Sequence, residues 1–326
     1  MRSVAEVKND IDTISFILEE LAKKPALAQQ SVNDISLENN IDYRYIQQVL
    51  TWLHFGMDSL FLQDADSLTM KTADVLEILN HVKLKLPSIK RITTYARANT
   101  VSRKTIDELK ALREAGLNRL HIGMESGSDA VLALIKKGVT SEKQIDAGRK
   151  ATEADMEVSL YFMPGCGGRE HLEDNALGSA KVINAIDPAF IRIRSVVPMP
   201  GTPLYQMMTD KQWIPTSERE KVKELRLLIE NLENIKSVLI SDHIMNLLEE
   251  VEGVFPNDKD KMLKVIDDFF AMDETQQDNF IVGRRLGLYR SISDVNNEEV
   301  EPVKARLIAQ HGDFDAAMRA LLTRYI

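Results

Sequence analysis

The sequence predicts an α/β protein: parallel strands joined by crossover helices form a barrel with a polar interior, and a helical C-terminal extension follows. Three observations predict it. Short apolar runs alternate with charged amphipathic segments through the first two thirds of the chain. Within several runs apolar and polar residues alternate singly, so one strand face is apolar and the other charged. From about Ser217 the strand signal stops and helical periodicity continues to the end. Strands of a doubly wound sheet, covered on both faces, read instead as near-continuous apolar runs. An antiparallel sheet with one wet face is the plainer alternative to a barrel, and the intervening helical segments argue against it.

The expected strands are "SLFLQ" (59–63), "RITTYAR" (91–97), "RLHIGME" (119–125), "EVSLYFM" (157–163) and "FIRIRSVV" (190–197). Helical patterns fall at 4–23, 41–54, 72–85, 104–115, 128–136, 141–154 and 171–185, and "SEREKVKELRLLIENLENIKSVLI" opens the C-terminal run of helices. A boundary is expected near 213–217, giving a barrel over 1–215 and a helical extension over 216–326. In "RLHIGME", Leu120, Ile122 and Met124 face one way and Arg119, His121, Gly123 and Glu125 the other. Ile191 and Ile193 oppose Arg192 and Arg194, while Tyr95 and Arg97 share a face.

Composition narrows the function classes. The chain has 326 residues, 44% of them hydrophobic, and a net charge of −9. That charge disfavours non-specific binding to nucleic acid or to an anionic membrane. One cysteine excludes an internal disulfide framework and suits a reducing, cytoplasmic setting. No apolar stretch is long enough to span a membrane, and the acidic amphipathic start has no signal-peptide core.

Four of the five expected strands end in an unusual segment. "DADSLTM" follows the first and Ser126-Gly127 the third, while "PGCGG" and "PMPGTPLY" follow the fourth and fifth. In parallel α/β barrels ligand chemistry gathers at these C-terminal strand ends. Each segment also has a plainer reading. Asp64 or Asp66 can cap the helix near Thr72 or order a turn, and Glu125 can be a buried partner for Arg97, Arg192 or Arg194. His121 reads as a satisfied interior residue, and Gly165, Gly167 and Gly168 as turn glycines. Beyond the barrel, Asp242, His243 and Asn246 in "SDHIMNLLEEVEG" read as a helix start, either a cap or part of a lid. "GRRLG" (283–287) is a basic spot that either binds an anion or ends a helix.

Taken in order, "FLQDADSL", "RLHIGMESGSDAVLALIKKGVT", "SLYFMPGCGGRE" and "VVPMPGTPLY" resemble the strand-end motifs of the radical SAM enzyme superfamily over about residues 4–215. The resemblance implies a partial (β/α)6 barrel, S-adenosylmethionine across the strand tops and a [4Fe–4S] cluster on the first loop. It implies reductive cleavage of the nucleotide to a 5′-deoxyadenosyl radical that abstracts hydrogen from a substrate, with an external electron donor. By position, Asp64, Ala65 and Asp66 would meet the methionyl ammonium. Glu125, Ser126 and Gly127 would meet the ribose or carboxylate, and Gly165, Gly167 and Gly168 the adenine. Arg97, Arg192 or Arg194 would hold a carboxylate.

One departure is large. The family's cluster loop supplies three thiolates spaced C-x3-C-x2-C, and this chain has only Cys166, at the wrong strand. The first helix resembles the one that follows that loop, so the first strand and loop are expected ahead of Met1, leaving the 59–63 strand with an open edge prone to association. Cys166 is then a small residue in a nucleotide-facing turn. The alternatives are a non-catalytic binding or interaction module on a degenerate barrel, and a cluster-independent lyase using Asp66 and Glu125 as acid and base.

Overall fold

The computed structural model of the protein describes residues 2–23, 29–295 and 297–325. The strands are β1 (Ser59–Leu62), β2 (Arg91–Ala96), β3 (Leu117–Glu125), β4 (Glu157–Phe162), β5 (Phe190–Ile193), β6 (Val238–Ile240) and β7 (Gly253–Val254). They follow chain order in one open sheet with β1 and β7 at its edges. β1 pairs parallel with β2, β4 with β5, and β5 with β6; β7 alone turns antiparallel, against β6. Helices occupy the crossovers, so the fold is the α/β class expected, and the sheet does not close.

The chain divides into two compact units within β3. One comprises residues 1–121 and 153–156, the other 122–152 and 157–326. In the first unit, the helix Val4–Ala22 begins in a capping box, Ser3 with Glu6, and packs beside the helix Thr72–Lys85. Ile17, Leu21, Val32, Ile35, Ile46 and Val49 join it to the helices Gln29–Asn39 and Tyr43–His54 in one apolar cluster. The helix at 29–39 was not among the expected segments. Trp52 Nε1 donates to Ser59 O at 2.9 Å, satisfying one carbonyl of the edge strand β1.

In the second unit, Ile191 and Ile193 are buried while Arg192 keeps partial exposure, as the alternation predicted. The Pro-Gly-Thr-Pro segment resolves into a turn and a cap. Gly201 takes φ 85°, Thr202 accepts from Tyr205 N, and Pro203 opens the helix Pro203–Thr209. The helix Glu218–Glu230 packs on the helix Leu172–Ile186. Strands do not end at Ser217: β6 and β7 extend the sheet, too short at three and two residues to show a period. β5 ends at Ile193 rather than 197, because the Ser195 N–H turns to Asn246 Oδ1 at 3.0 Å. Among the described residues no helix is long and apolar enough to cross a membrane.

Candidate functional site at the strand ends

In the first unit the segment after β1 folds on itself and on the end of β2. Ala65 N donates to Asp64 Oδ1 at 2.6 Å. Asp66 accepts from Arg97 N at 3.3 Å and from Thr100 Oγ1 at 2.5 Å, tying the β1 loop to the start of the helix Ala98–Arg103. Asp66 therefore orders a loop and a helix start, though at residue 98 rather than near Thr72. Arg97 is exposed. His121 is buried with its ring 5.7 Å from Phe61 and 5.9 Å from Tyr95.

The second unit carries the end of β3. Glu125 closes the strand at φ 62°, a conformation that costs a non-glycine residue roughly 1–2 kcal/mol. Its carboxylate folds back over Gly123 and pairs with Lys137 at 2.8 Å. Lys137 reaches it because the short helix Asp129–Leu134 is capped by Ser128 and then reverses through Lys136 (φ 54°) and Gly138 (φ 72°). Ser126 is buried and accepts from Ser128 N at 3.0 Å; Gly127 N donates to Ser179 Oγ at 2.8 Å. A Cβ at Gly127 would lie 2.4 Å from Gly178 O, so glycine here lets the helix Leu172–Ile186 approach backbone to backbone. Gly127→Ala is expected to lower stability by about 1–3 kcal/mol, read as a shift of the denaturant midpoint with m unchanged.

The turn after β4 is fixed from both sides. Met163 N donates to Glu125 O at 2.9 Å, joining the β3 and β4 ends. Gly165 (φ 83°) donates its N–H to Glu224 Oε2 at 2.7 Å, and Asn175 Nδ2 donates to Glu224 Oε1 at 2.5 Å and Met163 O at 3.1 Å. Glu224 is fully buried, and burial pushes its carboxyl up to about 8 against the lowering influence of Gly165 N–H, Asn175 and Lys221. Side chains at Gly165, Gly167 or Gly168 would strike Thr216, His171 and the Trp213–Ile214 segment respectively. The three glycines thus let the chain's own neighbouring segments approach the turn.

Cys166 is 3% exposed, and its thiol is pushed up to about 12, by burial first and then by Glu125 and Glu224. That shift favours the thiol, the poorly nucleophilic form, near neutral pH. Cys166→Ala is expected to leave the denaturant midpoint within about 1 kcal/mol of the parent, with ligand affinity unchanged. A loss of affinity at equal stability would assign the thiol a function.

At the end of β5, Arg192 and Arg194 hold a carboxylate of the chain itself: Asp242 lies 3.5 and 3.1 Å from them. Arg194 also sits 5.4 Å from the Tyr161 ring centroid. Arg192 Nε is buried without an acceptor. Residues 242–249 form turns rather than the expected helix, because Asn246 is drawn inward to Ser195, Ile193 O and Ser241. His243 is held below its usual range by burial and then by Arg194. The basic spot at 284–285 is internal pairing: Arg284 meets Glu249 and Arg285 meets Glu218.

Sequence reasoning missed Lys137 and Glu224. Lys137 was visible only as part of a turn motif. Glu218, Lys221 and Glu224 recur every third residue beside the apolar stripe of their helix, the one available hint that charged side chains there turn inward.

The described residues do not supply the donor set of a [4Fe–4S] cluster. The single cysteine is buried, and among the described residues no group of three or more His, Cys, Asp or Glu side chains converges. A zwitterionic nucleotide fits better. Glu125 with Lys137 and Arg192 with Arg194 offer both charge signs, and the orphaned Arg192 Nε has donor capacity to spare.

Residues 37–174 match the family model described as the Radical SAM superfamily. A tRNA-2-methylthio-N(6)-dimethylallyladenosine synthase of Neisseria meningitidis is 32% identical over 151 residues, 45% of this chain and 32% of that protein. The same-named enzyme of Coxiella burnetii is 28% identical over 244 residues, 73% of this chain and 49% of that one. An uncharacterized methyltransferase of Pyrococcus horikoshii is 29% identical over 160 residues, 48% of this chain and 33% of that one. The chain therefore spans between a third and half the length of these relatives. Among solved structures, Elp3 of Methanocaldococcus infernus aligns with a TM-score of 0.48 at 17% identity, covering 64% of this chain and 55% of that one. The β3 and β4 motifs stand at the C-terminal ends of their strands inside the matched segment, so residues 37–174 carry the match to a Radical SAM superfamily domain.

Proposed function

We propose that the chain binds S-adenosylmethionine at the polar ends of β3, β4 and β5. One observation carries the reading: Glu125 is held in a strained conformation at the end of β3, as a carboxylate paired with Lys137. Glu125 would accept from a hydroxyl or ammonium group, with Lys137 able to turn to the ligand's oxygens. Ser126 and Gly127 hold the strand end, and the backbone of Gly165, Gly167 and Gly168 shapes the adenine side. Arg192 and Arg194 would take a carboxylate in exchange for Asp242. S-adenosylmethionine brings a sulfonium carrying methyl and adenosyl carbons, the source of the superfamily's radical and transfer chemistry. In the first unit Asp64, Ala65, Asp66 and Arg97 remain candidate ligand contacts by motif position alone.

Calorimetric titration with S-adenosylmethionine tests this. Glu125→Gln is expected to weaken binding roughly 10- to 150-fold, the loss of one charge-assisted hydrogen bond, with the thermal midpoint retained. Affinity equal to the parent's would assign Glu125 to structure alone. The burial of Cys166, the one cysteine of this sequence, favours a second reading, a binding module without electron delivery of its own. Anaerobic incubation with iron, sulfide, dithionite and S-adenosylmethionine tests the enzyme reading: stoichiometric iron uptake with 5′-deoxyadenosine assigns it to this chain, whereas binding without 5′-deoxyadenosine is the outcome expected both of a module and of a chain whose cluster loop lies outside this sequence.

A further inference from the structure

We propose that the first unit holds a second ligand site, a cleft at the N-terminal ends of β1, β2 and β3 built for a planar aromatic ring bearing an anionic group. The cleft encloses about 790 Å3, within the roughly 300–1,000 Å3 of small-molecule sites. It lies at the other end of β1 and β2 from the segments that follow them, where conservation in such folds ordinarily reads as stability and not chemistry. Ser59 and Arg91 are the first residues of their strands and stand in register; Phe61 stands opposite Thr93 two residues on. Arg119 and His121 repeat the arrangement on β3, cation first and ring second.

Two residues along a strand is ~6.6 Å, comparable to the distance from the middle of a fused ring to a carboxylate or phosphate it carries. The aromatic wall is already assembled. Phe61 and His121 lie nearly parallel, 20° apart, and Trp52 and Tyr45 enter from the helix Tyr43–His54. Phe61 is 39% and Tyr45 59% exposed, aromatic surface that a stacked ring would cover. Arg91 is exposed and among the described residues meets no carboxylate. The one acid on the wall, Asp10, is held by Arg2 at 3.0 Å. Arg91 thus presents a cation to the cleft.

Adenosine monophosphate and indole-3-acetate present the same chemistry from two sources, so both are titrated by calorimetry, with adenosine and inorganic phosphate as half-ligand controls. At least one of the first pair is expected to bind with Kd below ~1 mM and at least ~10-fold more tightly than either control. Whichever binds identifies the phosphate or the carboxylate form. Arg91→Gln is expected to cost roughly 10-fold in that affinity, and Phe61→Leu a loss of about 3-fold or more, with thermal midpoints unchanged. The proposal is overturned by no binding of either probe, by controls that bind equally, or by an Arg91→Gln protein with the parent's affinity.

Discussion

Arg285→Ala is expected to destabilise the second unit by about 3–5 kcal/mol. The Arg285 side chain is 1% exposed. It binds Glu218, and it donates to Ile244 O and Met245 O at 3.0 and 3.1 Å. One side chain thereby joins the end of the helix Glu274–Arg285, the start of the helix Glu218–Glu230 and the 244–246 turn that presents Asn246 to Ser195. Removing it leaves Glu218 buried beside Lys221 alone, 3.0 Å away. For a unit of this size the loss corresponds to a fall in thermal midpoint on the order of 10 °C. The companion Glu218→Gln in the same background is expected to restore part of the loss, because it removes the stranded charge; strictly additive losses would show that the pair is not coupled.

The sign of the pH response follows. Burial pushes Glu218 up, but Arg285 and Lys221 outweigh it and hold the carboxyl at about 2, below the ordinary 4.5. A depressed carboxyl contributes stability that is present above pH 4.5 and lost as pH falls through about 2. The parent should therefore lose stability between those limits more steeply than Glu218→Gln. Equal slopes for the two in acid would remove the ion pair from the account.

Much of the fold was legible because a strand's two-residue period writes its faces directly into the sequence. Ile191 and Ile193 against Arg192 and Arg194 is such a case, and the expected strands coincide with β1 to β5 to within a few residues. β6 and β7 were not legible, since three and two residues carry no period. The site was legible in residue type and position but not in partnership. Glu125 could be placed at the end of a strand, whereas its partner Lys137 arrives only through the turn at Lys136 and Gly138. Arg192 and Arg194 could be read as a carboxylate fork, whereas the carboxylate they hold is Asp242, 48 residues beyond Arg194. Such choices are made by the fold over long separations, and no local pattern records them. Glu224 is the extreme case. Its segment, "SEREKVKELRLL", reads as a solvated charged helix, yet Glu218, Lys221 and Glu224 are all buried.

Glu224→Gln is accordingly expected to stabilise the protein in mild alkali and to leave it nearly unchanged near pH 4.5. The carboxyl stands at about 8 when folded against 4.5 ordinarily, chiefly through burial. A raised carboxyl contributes most to the folded state while it is protonated in both states. That contribution is lost as pH rises from about 4.5 through about 8, at up to ~1.4 kcal/mol per pH unit. Lys221 does not cancel the charge, because its ammonium is already engaged by Glu218. Glutamine keeps an oxygen for the Gly165 N–H, its amide nitrogen donates to Asn175 Oδ1 once the Asn175 amide turns over, and it has no charge to bury, so its stability should stay flat across that window. Denaturant midpoints at pH 5 and pH 8.5 give the comparison directly. The parent should fall by several kcal/mol between them, on the order of the full shift, and the variant should fall by far less. Parallel curves would mean that Glu224 is not protonated in the folded state. The Gly165 turn would then be held by a buried carboxylate, and Glu224→Gln would destabilise at both pH values through the weaker bond to Gly165 N.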